Sequence, residues 1–282
     1  MKDDKTNNQG PLYLVLASLC FSLGGLCISF IPWGAMSIIG IRALLGALVS
    51  VIYYREFKLR LTKANLLIAV SFSATTIMFV FANKLTSAAA AILLQFCAPI
   101  FIILIELFFN KKKPLLEEIV AVFLTLLGML LFFADKLEPG NMLGNILAIL
   151  SGVTYAGVFV FNKNEGGSTK DGTLIGLLFN SIIGLPFAFF QVTADPVAWF
   201  FVIILGVFQV GVAYLFFAKG IKHTTALLAC LITALEPVLN PLWVALATGE
   251  KPGPYAFLGG LVIVATVVIY NIWQKKAQSK LG

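Results

Sequence analysis

Charge is scarce in this chain: Asp, Glu, Lys and Arg together make up 12% of its 282 residues, where a soluble globular domain carries about a quarter. Histidine occurs once, as His223, and cysteine four times, as Cys20, Cys27, Cys97 and Cys230. None of the cysteines forms a C-x-x-C pair or has histidines nearby, so a zinc site or a disulfide framework lacks its ligands. The four read as free thiols buried among apolar neighbours. There is no H-E-x-x-H, no Ser/His/Asp arrangement and no cluster of acids that could hold metal and phosphate. A membrane-embedded enzyme acting on lipid, the competing reading from another class, is therefore left without its machinery. No cofactor and no metal is expected. Long polar segments are missing as well, so no soluble domain fits between the apolar runs. The first apolar run has no small-residue cleavage site and reads as a retained span, not a signal peptide.

What is abundant is hydrocarbon. Hydrophobic residues reach 60% and the mean hydropathy is +0.97, the composition of an integral membrane protein. A helix of about 20 apolar residues crosses a bilayer while satisfying its own backbone hydrogen bonds. Ten such spans can be drawn, at 11–31, 35–54, 64–83, 88–109, 115–134, 141–161, 172–191, 197–217, 225–247 and 255–273. Turn chemistry separates them: Pro32 with Gly34, Asn110 to Pro114, Pro139-Gly140, Gly166-Gly167, Asp195-Pro196 and Gly249 to Pro254. The fold class expected is all-α, with short loops joining antiparallel neighbours.

Twenty basic residues set the expected orientation. With both termini cytoplasmic, the inner segments hold sixteen of them, the outer loops hold Lys84, Lys136 and Lys251, and Arg42 lies within a span. The positive-inside rule accordingly places both termini in the cytoplasm, and it accounts for the net charge of +7 with no nucleic-acid partner. The basic and apolar residues of the Arg55 to Lys63 loop suit the anionic leaflet.

The two halves of the chain echo each other. Thr224 to Pro237 reads T-T-A-L-L-A-C-L-I-T-A-L-E-P, and 138 residues earlier Thr86 to Pro99 reads T-S-A-A-A-A-I-L-L-Q-F-C-A-P. At the same offset Arg42 meets Asn180, Gly46 meets Gly184, Ala121 meets Gly259, and Lys113-Pro114 meets Lys251-Pro252. This divides the chain into five-span repeats at 1–138 and 139–282. An odd number of spans per repeat forces the second copy to cross the membrane in the opposite sense. Inverted repeats with helices interrupted at corresponding places are how secondary transporters set a site at the midplane. Pro99 and Pro237 are the expected helix bends, since each removes a backbone donor from the carbonyl four residues earlier.

These residues resemble the drug/metabolite transporter superfamily, in its ten-helix EamA-like branch. The likeness rests on A-L-E-P at Ala234 to Pro237, T-G-E at Thr248 to Glu250, Gly259-Gly260, and I-G-I-R-A-L-L-G-A-L around Arg42. It covers nearly the whole chain. The first repeat departs from the pattern, with Ala98-Pro99 and Lys111-Lys112 where the family often has acids. The resemblance implies a ten-helix carrier in a bacterial-type inner membrane, moving a small organic metabolite by alternating access. Members carry amino acids and their derivatives, other metabolites and drug-like cations, and many are exporters.

Glu236 is the first candidate for substrate binding. A carboxylate at the centre of a span costs about 2.5 kcal/mol or more, so it needs a role: binding a cation, exchanging a proton, or securing the bend at Pro237. Arg42 can grip a carboxylate bidentately or cap carbonyls freed at a neighbouring break. Gln95 and Asn240 stand about one turn from Pro99 and Pro237, and Gln209 lies mid-span; these three are the preferred polar lining, against the plainer reading of interhelical hydrogen bonds. Tyr155, Tyr214 and Trp243 lie deep, and their rings suit a cation beside an acid. Trp33, Trp199, Tyr255 and Trp273 fall at span ends, where aromatic residues anchor helices at the interface. Glu106 is close enough to Lys111 to Lys113 to reach the inner surface.

The function expected is a secondary transporter for a zwitterionic or cationic metabolite such as an amino acid, an amine or a quaternary ammonium, with proton coupling through Glu236 as one option. A facilitative carrier or uniporter is the alternative, and a channel would need a re-entrant loop or charged rings. A polyanionic cargo calls for more than one intramembrane cation, and only Arg42 qualifies. The partners expected are the small-molecule substrate and the lipid bilayer, with the chain as monomer or homodimer.

Overall fold

The computed structural model describes residues 9–56, 59–137, 141–248 and 253–279. The expectations placed on Lys58, on Pro139-Gly140, on Gly249 to Pro252 with Glu250 and Lys251, and on basic residues at the extreme termini lie outside the described residues. The described residues are nearly all helical. We number the ten spans in chain order: α1 is Gln9–Phe21 continued by Leu23–Ser29, α2 is Ala35–Tyr54, α3 is Lys63–Leu85, and α4 is Ala88–Gln95 (α4a) followed by Ala98–Phe109 (α4b). Next come α5, Leu116–Phe133; α6, Met142–Phe161; α7, Thr169–Gln191; and α8, Pro196–Ile221. The chain closes with α9, Ala226–Thr233 (α9a) followed by Leu235–Thr248 (α9b), and α10, Pro254–Ser279.

Nine helices among the described residues are long and apolar enough to cross a membrane. Among the described residues α9 has a shorter apolar helix, Ala226–Asn240, and it supplies the tenth span. The ends shift by a few residues from the expected limits for local reasons. Thr62 and Ser168 accept hydrogen bonds from the Asn65 and Asp171 amides, which moves the starts of α3 and α7 to Lys63 and Thr169. Thr225 caps α9a in the same way at the Leu228 amide.

Breaks occur where the backbone can be satisfied otherwise. In α4 the helix stops after Gln95 and restarts at Ala98; in α9 it is interrupted at Ala234. Both interruptions come just ahead of the prolines, and Pro99 and Pro237 sit in the first turn of the restarted helices. There the missing N–H costs nothing, because first-turn amides have no intrahelical partner. The Phe96 amide donates to Ile92 O at 2.9 Å, and the Ala234 amide is shared between Cys230 O and Leu231 O at 3.2 Å each. A third break, at Ser22 in α1, has no proline; Ser22 N donates to Ser18 O at 2.9 Å and Ser22 Oγ to Leu19 O at 2.7 Å. In α8 the stretch Leu205–Val212 is wound as a π-helix.

Small residues bring the helices together, as they do where lipid provides no hydrophobic drive for association. α2 packs on α7 with Gly40 against Gly184, so close that a Cβ on Gly184 would lie 2.5 Å from the Gly40 Cα. α5 packs on α10 through Gly128, where a Cβ would lie 2.8 Å from Ile263 Cγ1. The remaining neighbours come in matched sets: α3 lies on α6 as α8 lies on α1, α3 on α7 as α8 on α2, and α4 on α6 as α9 on α1. Exchanging each helix with the one five places along returns these main neighbours. The core joins Leu14, Phe159, Leu174 and Phe217 around α9a, every residue of which is buried. Trp33, placed at an interface by its position, is buried instead; its Nε1 donates to Thr193 Oγ1 at 3.0 Å, closing the α1–α2 turn onto the α7–α8 turn.

Between α4 and α5, Lys112 Nζ bridges Glu106 at 2.8 Å and Glu118 at 3.1 Å. Burial works against its charge, but the hydrogen bonds and charges of the two glutamates outweigh that and hold its pKa above the usual lysine value. The raised value means that the contribution of Lys112 to stability is present at neutral pH and is lost as pH rises through the higher folded value.

The tight α2–α7 contact makes a direct prediction. Gly40→Ala or Gly184→Ala forces a methyl into backbone and is expected to cost about 1–3 kcal/mol, lowering the thermal midpoint of the detergent-purified protein by several degrees. Gly260→Ala, whose Cβ would meet side chains alone, Val238 Cγ1 at 3.1 Å and Phe132 at 3.7 Å, should shift it less. Equal midpoints for all three would contradict the packing described.

Candidate functional site

The interrupted helices converge on a cavity of about 130 Å³ in the middle of the bundle. α2 contributes Ile39, Arg42 and Ala43; α3 contributes Phe72, Thr75, Thr76 and Phe79; and Gln95 closes α4a at its edge. From the second half come Tyr155 of α6, Leu177 and Asn180 of α7, Gln209, Val210 and Tyr214 of α8, and Glu236 of α9b, while Phe21 enters from α1. The walls are thus mostly apolar and aromatic with a few polar groups, the usual constitution of a small-molecule pocket.

Glu236 is in the first turn of α9b. The free amides and the dipole of a helix start favour an acid at that place. Its carboxylate has no hydrogen-bond or ion-pair partner among the described residues, whose salt bridges join Lys112 to Glu106 and Glu118, and Lys170 to Glu56. Arg42 faces the same cavity from α2. Its Nη1 donates to Gln209 Oε1 at 3.5 Å, a long and weak contact. Arg42 and Glu236 feel each other's charge but do not touch, since a pair within 4.0 Å would form a salt bridge. Neither the carbonyl-capping role for Arg42 nor a backbone tie for Glu236 is seen among these residues.

The other polar lining groups divide into spent and free. Tyr155 OH donates to Thr233 Oγ1 at 3.3 Å, and that hydroxyl donates to Cys230 O at 2.8 Å, so Tyr155 braces the α9 break. Thr75 bonds Ser71 O at 2.7 Å and shares a 2.8 Å bond with Thr154. Thr76 bonds Phe72 O. Gln95, Tyr214 and Asn180 form no side-chain hydrogen bond among the described residues, and Asn180 Oδ1 is buried without a partner. Tyr214 packs edge-on against Phe21 and Phe72, with ring centroids 5.0 and 5.1 Å apart.

Six of the eight binding candidates read from the sequence, Arg42, Gln95, Tyr155, Gln209, Tyr214 and Glu236, line this one cavity. Asn240 and Trp243 sit elsewhere, at the α1 break. Trp243 Nε1 donates to Ser22 Oγ at 2.8 Å, and Asn240 lies against Gly25, where no side chain would fit. They are one and two turns beyond Glu236 along α9b, which carries them past the cavity. Asn180 is not among those eight, although its place opposite Arg42 in the repeat is the signal that singles it out. The π-helical turn that carries Gln209 has no sequence signature.

Comparison with known proteins agrees with this architecture. A model of the EamA-like transporter family matches residues 8–134 and 142–272, one match in each half. An uncharacterized transporter from Archaeoglobus fulgidus is 25% identical over 92% of this chain and 95% of its own length. The threonine/homoserine exporter RhtA of Escherichia coli is 23% identical over 91% of this chain and 90% of that protein. A crystal structure at 18% identity superposes with a TM-score of 0.81, covering 94% of this chain and 98% of that one, which shows the shared fold.

The division into spent and free groups predicts which substitutions the fold will feel. Tyr214→Phe and Gln95→Leu should leave the thermal midpoint of the purified protein in place. Trp243→Phe removes the bond to Ser22 and should lower it, by a loss of about 1 kcal/mol. A midpoint that falls more for Tyr214→Phe than for Trp243→Phe would show that Tyr214 is a structural group and not a free one.

Proposed function

Because the chain belongs to the EamA-like transporter family, we propose that it is a secondary transporter whose cavity binds a small zwitterion, with the cargo's ammonium against Glu236 and its carboxylate against Arg42. One observation carries the reading: two opposite charges face one cavity and are held apart. In a low-dielectric interior such charges are strongly attracted, and each is costly while alone. Their separation, on α2 and on a restarted half-helix, leaves a gap that a dipolar molecule of amino-acid size fills, offsetting both costs at once. A cargo with several negative charges has only Arg42 to meet it. The name of the RhtA relative, an exporter of two zwitterionic amino acids, supports the same substrate class and an outward direction.

The mechanism proposed is alternating access between two inverted repeats. The exchange of neighbours between α1–α5 and α6–α10 supports the repeat, and the charge distribution of the loops supports cytoplasmic termini in an inner membrane. On that orientation the cavity residues run from the middle of the bilayer toward the outer face. The inner half is closed by the core around α9a and by Lys219 Nζ over the Tyr13 and Tyr53 rings, at 5.6 and 5.1 Å from their centroids. These contacts support a carrier shut on its inner side. Glu236 can release a proton when it takes up the cargo's ammonium, which would couple export to proton entry. The uniporter alternative requires that Glu236 stay ionised throughout.

Counterflow in proteoliposomes loaded with a neutral amino acid tests the reading. Glu236→Gln and Arg42→Met should each slow exchange by about tenfold or more, since each leaves one end of the cargo unpaired. Exchange at the wild-type rate, with an unaltered pH profile, in Glu236→Gln would remove the glutamate from both binding and coupling.

A further inference from the structure

Within the cavity one polar group is left over once the two charges are assigned. Asn180 is 2% exposed, and its amide finds no hydrogen-bond partner among the described residues. Of the hydroxyls lining the same cavity, those of Thr75 and Thr76 have bonded carbonyls of their own helix, and that of Tyr155 is engaged with Thr233. Buried amides are nearly always satisfied, so an orphan on the wall of a pocket calls for a partner that enters with the cargo. Asn180 also occupies the position that Arg42 holds in the other repeat, 138 residues away. The two repeats thus offer the cavity a cation from one side and a neutral amide from the other.

We propose that Asn180 is a specificity-determining residue that reads a hydroxyl on the side chain of the cargo, so that the carrier selects small hydroxylated zwitterions over their methyl isosteres. The inference rests on the zwitterion reading above, in which Glu236 and Arg42 take the ammonium and the carboxylate and leave Asn180 for a third group. A hydroxyl suits the amide in either orientation, because it donates to the oxygen and accepts from the NH2. A methyl group in its place leaves the amide unpaired. Sites built to bond a hydroxyl discriminate strongly against the analogue that lacks it, whereas apolar pockets separate molecules of equal size poorly. With a volume of about 130 Å³, the cavity restricts the cargo to a short side chain.

Threonine and valine, which differ by hydroxyl against methyl at equal shape, are the probes. Counterflow into proteoliposomes of the full chain should show wild type preferring threonine by about tenfold or more. In Asn180→Leu the preference should collapse to within about twofold. Asn180→Ser, a smaller change, serves if the leucine variant does not reconstitute, and it too should reduce the preference. A wild type that exchanges both amino acids alike, still dependent on Glu236 and Arg42, overturns the role of Asn180 and leaves the zwitterion reading standing. Full threonine preference retained in either variant overturns that role equally. A wild type that exchanges neither, while accepting an amine without a carboxylate, overturns both.

Discussion

In hydrocarbon every backbone N–H and C=O must be satisfied from within the protein, and the structure turns on how that demand is met where helices are interrupted. A continuous helix meets it alone but presents only side chains to a cavity. The broken helices here meet it with borrowed groups. Ser18 of α1 donates its hydroxyl to Ile232 O at 3.2 Å beside the α9 break, and Trp243 of α9b reaches back to Ser22 at the α1 break. α1 and α9 thus brace each other, at a backbone carbonyl beside the α9 break and at a side-chain hydroxyl at the α1 break. In the other half the Gln95 carbonyl at the α4 break is pressed onto α6 at Gly152, where an added Cβ would lie 2.8 Å from it. The breaks persist because their neighbours fit them, and they place Gln95 and Glu236 on the cavity wall.

The electrostatics follow from the same geometry. A helix restarted part-way along a span brings a fresh N-terminus to the cavity, and that is where Glu236 sits. Its counterpart in α4b is Ala98, which has no charge, so the two breaks are alike in backbone and different in chemistry. Arg42 and Asn180 repeat that contrast on α2 and α7. A scaffold of matched helix pairs therefore carries an unmatched set of polar groups: an acid, a cation and an amide, each open toward the cavity. In the transport cycle proposed above, symmetry in the fold would let the two halves rock against each other, and asymmetry in the wall would give the cargo one orientation.

Much of this is legible in the residues. Ten spans follow from the apolar runs, and the offset of 138 pairs Pro99 with Pro237 from residue types alone. The deep polar and aromatic residues are so few that naming them nearly names the wall. What the sequence hides is local winding. The α1 break has Gly24-Gly25 but no proline, so nothing in its composition distinguishes it from glycines that merely allow close packing. The π-helical turn of α8 is set by its packing against α2, where Gly206 meets Leu45 and Gly211 meets Val49, and tertiary contacts of that kind leave no periodic trace. Distance along the helix from Glu236 puts Asn240 and Trp243 near the cavity. The structure turns α9b so that they meet α1, which only the packing decides.

The central claim is that one cavity holds a cation and an anion apart for a cargo that bears both charges. Thermal unfolding of the purified protein with three forms of one small amino acid tests it most directly: the free zwitterion, its methyl ester and its N-acetyl derivative. Stabilisation by the zwitterion, by about 2.7 kcal/mol at 100 times its Kd, with little from either blocked form at the same concentration, is the result the account predicts. Equal stabilisation by the ester would show that Arg42 does not hold the carboxylate, and the claim would fall.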